Sequence, residues 1–367
     1  MEKRIATRLL ITDTHSDNEN AADIEDIFEQ AFDICEQLGI ERLTHLGDAF
    51  NSRAGQTLKV LLSVLKSFKT AAERGIIVDV IPGNHDKTNL EASESYLDLV
   101  KLPEKIHVYD DWSIEFLRRE LHCYIPYFKE DTIYLQKIEQ LTKRIQELQN
   151  SIPNTYDRIY LYTHVAITGV RNNGGIKVEN ALKYSMFKPF TKVFVGHYHN
   201  SSRVGKNIFY IGSARPKDFG EDDKKGFTVL YNDGTHEQIQ AKFPKYIKHT
   251  IDLSKTNKTD IVKLINEYKE SEDKVRFIFV GNPEKFAQYE QFLALAKKHG
   301  IDVKREDENI LRAMEVAKLG GNMEFDYKAI LQAFLQYCTK NKEIITPSRR
   351  ALGLKYVTLI KDRHVAS

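Results

Sequence analysis

Three segments near the N-terminus share one rhythm. "RLLITDTHS", "RLTHLGDAF" and "IIVDVIPGNHD" each run from apolar residues directly into polar ones, the profile of strands buried on both faces. Between them, "ADIEDIFEQAFDICEQLGI" and "TLKVLLSVLKSFKTAAERG" place apolar side chains at helical spacing, and Gly39 offers a stop for the first. Strand, helix, strand, helix, strand predicts a layered α/β fold with parallel strands. Further on, "VYDDWSIEFLRRELHCYIPYF" predicts short strands, and "DTIYLQKIEQLTKRIQELQNSI" a charged amphipathic helix. "DRIYLYTHVAITG", "TKVFVGHYHN", "KNIFYIGSARP" and "GFTVLYNDG" read as four more strands, expected to form a second sheet.

After about residue 250 the pattern changes. "KVRFIFVGNPEKFAQYEQFLALAKKHGIDVKRE" reads as strand, helix, strand, a small α/β unit. "DYKAILQAFLQYCTKNKEIITPSRRALGLKYVTLI" reads as two helices around Thr346-Pro347. With a second boundary at "LGGNMEF", near 318, the expected parts are 1–250, 251–318 and 319–367. No internal repeat or low-complexity linker interrupts them.

Composition narrows the classes. The 367 residues carry a net charge of +2, which excludes a polycation of the histone type, so nucleic-acid contact would need a local basic patch. Cys35, Cys123 and Cys338 are far apart and form no CxxC pair, which argues against a disulfide framework or a zinc ribbon and fits a reducing cytoplasm. "MEKRIATRLLITDTHSD" has no signal-peptide pattern, and no run approaches the ~18 apolar residues of a membrane span. The expectation is a cytoplasmic protein without membrane contact.

Chemistry gathers where strands stop. Asp13 and His15 follow the first strand, Asp48 the second, Asn84 and His85 the third; His164 follows "IYLYT", and His197 and His199 follow "KVFVG". In open α/β sheets ligands sit at the carboxyl ends of the strands, so five segments deliver Asp, Asn and His to what could be one rim. Any one pair alone is ordinary loop chemistry; the ordered series is not. Mixed carboxylate and imidazole donors suit Mn, Fe or Zn rather than Mg or Ca. Two divalent ions sharing a carboxylate can clamp an in-line phosphoryl displacement.

The series "DTH", "GDAFN", "GNHD", "YTH" and "GHYH" over residues 13–199 resembles the calcineurin-like metallophosphoesterase superfamily. The resemblance implies a four-layer sandwich, two mixed β-sheets flanked by helices, with a small α/β capping domain and C-terminal helices. It implies one metal on Asp13, His15, Asp48 and His199, and a second on Asp48 (bridging), Asn84, His164 and His197. His85 would be the general acid or transition-state stabiliser, and Asp86 would shape the turn. Mn²⁺ is the first choice of ion, with Fe or Zn as alternatives. "GDAFNSR" and "FYIGSARPKDFGEDDKKGFTVL" resemble SbcD-type repair nucleases and their phage recombination counterparts. Residues 319–367 resemble the element that docks on the coiled coil of an SbcC-type ATPase, and such nucleases often form homodimers. Two positions depart: Thr12 stands where Gly is common, and Asn51 where repair nucleases carry a His thought to help place the DNA end. The second leaves exonuclease or endonuclease preference open.

The resulting expectation is hydrolysis of DNA phosphodiesters in repair, recombination or replication. Arg53, Arg171 and Arg215 are backbone-contact candidates with Asn51, joined by Lys87 and Lys177, and "GVRNNGGIK" is a substrate-loop candidate. Rivals are a phosphatase or small phosphodiesterase on the same scaffold, and a non-catalytic scaffold, against which the complete donor set argues.

Overall fold

Both faces of the first strand are buried, and alternate residues serve different layers. In the computed structural model, which describes residues 3–88, 94–101, 104–153, 155–307 and Leu335, Cys338, Arg350, Ala351 and Leu354, β1 spans Ala6–Ile11. Its Leu9 and Ile11 face helix α1 (Ala21–Leu38), while Leu10 faces a second sheet, as period-2 alternation requires. Gly39 ends α1 in the left-handed conformation, its N–H returning to Cys35 and Glu36. β2 (Arg42–His45), α2 (Leu58–Glu73, capped by the Thr57 hydroxyl), β3 (Ile77–Val80) and β4 (Ile106–Val108) complete a parallel run in the order β1-β2-β3-β4.

The next segment builds the partner sheet. β5 (Ser113–Leu117) pairs antiparallel with β6 (Glu120–Ile125); α3 (Asp131–Ser151) then crosses to β7 (Arg158–Thr163), and β8 (Lys192–Val195) follows in parallel. β9 (Ser202–Val204) and β10 (Ile208–Tyr210) finish the order β5-β6-β7-β8-β10-β9. Ile159 and Leu161 of β7 pack with α3, whereas Tyr160 and Tyr162 meet Leu10 of the first sheet. The layers are therefore helices, sheet, sheet, helix, and both sheets are mixed.

One expectation fails here. "GFTVLY" forms β11 (Gly226–Tyr231) but returns to the first sheet, antiparallel to β1 with Ala6 opposite Tyr231, and β12 (His236–Gln240) pairs beyond it. An apolar run shows that a strand is buried, not which sheet completes its ladder.

Compact grouping separates the chain into two units: residues up to Lys248 with Ser271–Arg276, and His249–Glu270 with the chain from Phe277. The second centres on a sheet ordered β13 (Tyr246–Asp252), β14 (Lys274–Gly281), β15 (Asp302–Asp307), with α4 (Lys258–Tyr268) and α5 (Pro283–Lys298). Phe277, Phe279, Ile261 and Leu293 form its interior. The helices expected over 319–367, and the boundary near 318, lie outside the described residues apart from the five isolated positions. No described helix is long and apolar enough to cross a membrane.

Candidate metal centre

The loops leaving β1 and β2 run side by side. Asp13 N–H donates to Gly47 O at 3.0 Å, His15 N–H to Asp48 O at 3.0 Å and Ser16 N–H to Ala49 O at 2.8 Å. This forces unusual backbone. Asp13 (φ 51°), His15 (48°), Asp48 (56°) and His197 (83°) all adopt the left-handed region, at a cost of order 1–3 kcal/mol each for non-glycine residues. The glycines of the motifs answer to close approach. A Cβ on Gly83 would overlap the Asp48 carboxylate and amide, and one on Gly196 would overlap the Thr12 hydroxyl and Leu46 O.

Asp86 staples two of these loops. Its carboxylate accepts from Gly83 N at 2.7 Å, Asp48 N at 2.8 Å and Phe50 N at 3.1 Å. Burial, with the nearby Asp48 charge, pushes its pKa up to about 7 despite those donors.

The seven motif side chains converge. Asp13, His15 and His199 form one group of donor atoms, Asp48, His164 and His197 another, and His15, Asp48 and His85 a third between them. In the first, His15 Nε2 lies 3.0 Å from His199 Nε2 and 3.6 Å from Asp13 Oδ1, which is 3.9 Å from His199 Nε2. In the second, Asn84 Oδ1 lies 2.9 Å from His197 Nδ1 and 3.1 Å from His164 Nε2, and His164 Nε2 lies 3.4 Å from Asp48 Oδ2. Asp48 joins the groups, with the same Oδ2 3.8 Å from His15 Nε2. Bonds of ~2.1 Å to one ion place neighbouring donors about 3.0–3.4 Å apart; the spacings around His164 match that range, and those of Asp13 Oδ1 and Asp48 Oδ2 to the His15 and His199 rings, 3.6–3.9 Å, are slightly wider.

Hydrogen bonding gives the same answer. His164 Nδ1 donates to Leu46 O at 2.7 Å, His15 Nδ1 to Phe50 O at 3.3 Å and His199 Nδ1 to Glu221 Oε1 at 2.6 Å. Each ring thus turns its Nε2 inward, the outer-nitrogen anchoring typical of metal-bound imidazoles. Asp13 Oδ2 accepts from Thr12 Oγ1 and His197 N at 2.8 and 2.9 Å, but its Oδ1 is buried with no hydrogen-bond partner. An orphaned carboxylate oxygen facing two imidazole nitrogens has the chemistry of an ion ligand. Burial would raise the Asp48 pKa, yet His164 and His15 hold it well below the carboxylate range; burial would lower His164, yet Asp48 and Asp13 raise it to about 9.

His85 sits beside this set. Its backbone N–H donates to Asp48 Oδ1 at 2.7 Å and its Nδ1 donates to Asn51 O at 2.5 Å, leaving Nε2 3.3 Å from Arg53 Nη2. Burial pushes its pKa down to about 4. The Asn51 amide is engaged by Asp17 at 2.9 Å, and Arg53 is exposed. Arg171 is exposed and bonds Gly175 O in its own loop, while Arg215 is 7% exposed with Nη1 3.4 Å from Asp23. Neither joins the donor groups. Lys87 is buried and Lys177 exposed. The "GVRNNGGIK" loop contributes Asn173, whose Oδ1 accepts from His199 N at 2.9 Å.

Several contributors escape sequence reasoning. Glu221 and Lys225 lie in the charged run "GEDDKK", indistinguishable there from a solvated turn, yet both side chains are buried and paired at 2.9 Å. His45 hides inside β2; its Nε2 meets Thr14 Oγ1 at 3.1 Å, and burial pushes its pKa down to about 3.

A sequence profile of the calcineurin-like phosphoesterase family matches residues 6–201. A protein of Invertebrate iridescent virus 6 whose name includes phosphoesterase 244L is 24% identical over 223 residues, covering 58% of this chain and 72% of that one. Exonuclease subunit 1 of Enterobacteria phage T4 is 26% identical over 209 residues, covering 56% of this chain and 57% of its own. Among solved structures, a dimetal phosphatase from Danio rerio superposes with a TM-score of 0.42 at 12% identity, over 62% of this chain and 93% of that chain.

Proposed function

Because the chain belongs to the calcineurin-like phosphoesterase family, we propose that its metal-dependent hydrolysis is directed at DNA phosphodiesters, in repair, recombination or replication. The observation that carries the reading is the meeting of the two donor groups at Asp48, whose Oδ2 lies 3.4 Å from His164 Nε2 and 3.8 Å from His15 Nε2. Similarity to a protein named as an exonuclease subunit supports DNA as the substrate. The word subunit in that name also supports a partner, proposed as a coiled-coil ATPase of the SbcC type, with a homodimer of this chain as the further element.

Asp13, His15 and His199 would hold one ion, Asn84, His164 and His197 the other, and Asp48 both. Two divalent ions, Mn²⁺ first among candidates, supply Lewis-acid polarisation of the phosphoryl group and a lowered pKa for water. The protein's part is orientation. Leu46, Phe50 and Glu221 fix three imidazoles with Nε2 inward, and Asn51 O fixes the His85 ring with Nε2 outward. A phosphodiester entering against His85 Nε2 brings negative charge that raises the proton affinity of that nitrogen. His85 then holds a proton where the leaving oxygen can take it, and Arg53 beside it offsets phosphate charge.

The test is an assay on linear and circular, single- and double-stranded DNA with Mn²⁺, run beside bis(p-nitrophenyl) phosphate. Cleavage of DNA is expected. Turnover of the small diester alone would assign a small-phosphodiester enzyme instead, and absence of both activities and of bound metal would assign a scaffold.

A further inference from the structure

The metal rim holds backbone that residues with a side chain rarely adopt: Asp13, His15 and Asp48 have φ of 51°, 48° and 56°, with Gly47 at 90° beside them. Such conformations persist only where surrounding groups over-determine them. The ladder between the two loops supplies part of this, through the N–H groups of Asp13, His15 and Ser16. Two further groups inside these turns, the Gly47 N–H and the Thr14 hydroxyl, both go to one side chain. Gly47 N–H donates to His45 Nδ1 at 3.2 Å, and Thr14 Oγ1 lies 3.1 Å from His45 Nε2. A neutral imidazole that accepts at Nδ1 carries its proton at Nε2. The ring therefore donates to Thr14, whose own hydroxyl donates toward Ala49 O at 3.4 Å.

The ring is itself held from behind. His45 is the last residue of β2 and is fully buried. It lies against Phe28 of α1 and Phe68 of α2, with centroids 6.1 Å away in both cases and planes at 22° and 64°. Two helices fix the ring, and the ring reaches both loops. Thr14 stands between Asp13 and His15, and Gly47 precedes Asp48. Among the described residues, His45 belongs to none of the donor groups, and both its nitrogens are already engaged, so it is not a ligand. Packing between two phenyl rings asks only for an apolar ring. An imidazole costs desolvation there, and its two bonds to the loops explain it.

We propose that His45 is a positioning residue of the metal centre: by tying Thr14 to Gly47 it sets the placement of the Asp13 and His15 donors relative to Asp48. This rests on the metal-dependent reading and not on DNA as the substrate. The tie acts before any ion binds. Loops already in place leave little rearrangement for the ions to drive, which is how preorganisation raises affinity. Without the tie the strained turns relax, and metal binding has to restore them.

The experiment is calorimetric titration of Mn²⁺ into metal-free protein, paired with urea unfolding. Wild type is compared with His45→Asn, Thr14→Val, Thr14→Ser and the double variant His45→Asn/Thr14→Val. An asparagine keeps an acceptor for the N–H two residues on but is too short to reach Thr14. Thr14→Val removes the hydroxyl from the other side, and Thr14→Ser keeps it. His45→Asn and Thr14→Val should each bind Mn²⁺ about tenfold more weakly, the lower end for residues that support metal ligands. Because both remove the same bond, the double variant should bind no more weakly than either, and Thr14→Ser should bind as wild type does. Effects that multiply in the double variant overturn the inference, since two independent packing defects would behave so. Loss of stability with wild-type Mn²⁺ affinity assigns the pair to the core alone and also overturns it. Should His45→Asn fail to fold, Thr14→Val against Thr14→Ser still decides: equal affinities overturn the inference. A wild type that binds no Mn²⁺ overturns the metal-dependent reading together with it.

Discussion

Replacing Glu221 by Gln tests how far the metal centre depends on residues that are not ligands. Glu221 Oε1 accepts from His199 Nδ1 at 2.6 Å, and Oε2 lies 2.9 Å from Lys225 Nζ. Lys225 Nζ in turn donates to His199 O at 2.5 Å, so His199 is held through its ring and its backbone by one ion pair. The pair is buried, with side chains 4% and 0% exposed. A glutamine keeps the shape but removes the charge that makes Nε2 a strong donor, and such changes typically weaken metal binding 10–100-fold, or about 1.4–2.7 kcal/mol. It also leaves buried Lys225 with the neutral acceptors His199 O and Asn200 Oδ1 and, as carboxylate, Asp222 at 3.9 Å, so folding stability should fall by about 3 kcal/mol, the lower end for a broken buried pair. Calorimetric titration of Mn²⁺ into metal-free protein reads the first effect and urea unfolding the second. Adding Lys225→Met should restore stability without restoring affinity. Wild-type Mn²⁺ affinity in Glu221→Gln would refute the reasoning, because His199 would then need no anchor.

Further outcomes follow from the same geometry. His85→Ala should abolish turnover of DNA and of the small diester while metal content, read by elemental analysis, stays at the wild-type level; loss of metal as well would remove its assigned role. Asp79→Asn should cost about 3–5 kcal/mol in denaturant unfolding, because Asp79 is fully buried and Arg8, 1% exposed, loses a partner at 2.6 Å. Burial, with Arg8 next, pushes His122 down to about 4, below its ~6.5 in an unfolded chain. Between those values the unfolded state binds a proton that the folded state does not, so stability falls as pH drops from about 6.5 to about 4, by at most ~3 kcal/mol from this residue. The difference in unfolding free energy between wild type and His122→Gln across that window isolates the effect; parallel curves would contradict it.

What the sequence made legible was whatever depends on local pattern. "RLLIT" and "IIVDV" announce buried strands, and Gly39 announces the end of α1, because burial and φ > 0 leave a trace in residue type. β12 ("HEQIQ") and α4 ("KTDIVKLINEY") are too polar for that trace, and the sheet that receives β11 is decided by pairing with a strand some 220 residues away. The motif side chains stood out because each follows an apolar run at a strand end. Glu221 and Lys225 did not, because a charged turn looks the same whether it faces water or anchors a ligand. Arg215 shows the converse: charge alone suggested a substrate contact, and folding buries it against Asp23.

Every functional step above requires Asp48 to be shared by two cations. Anomalous diffraction from crystals grown with excess Mn²⁺ addresses this directly. Two manganese peaks are expected, one among Asp13, His15 and His199 and one among Asn84, His164 and His197, each within bonding distance of the Asp48 carboxylate. One peak alone, or two that leave Asp48 uncoordinated, would show that the carboxylate bridges nothing.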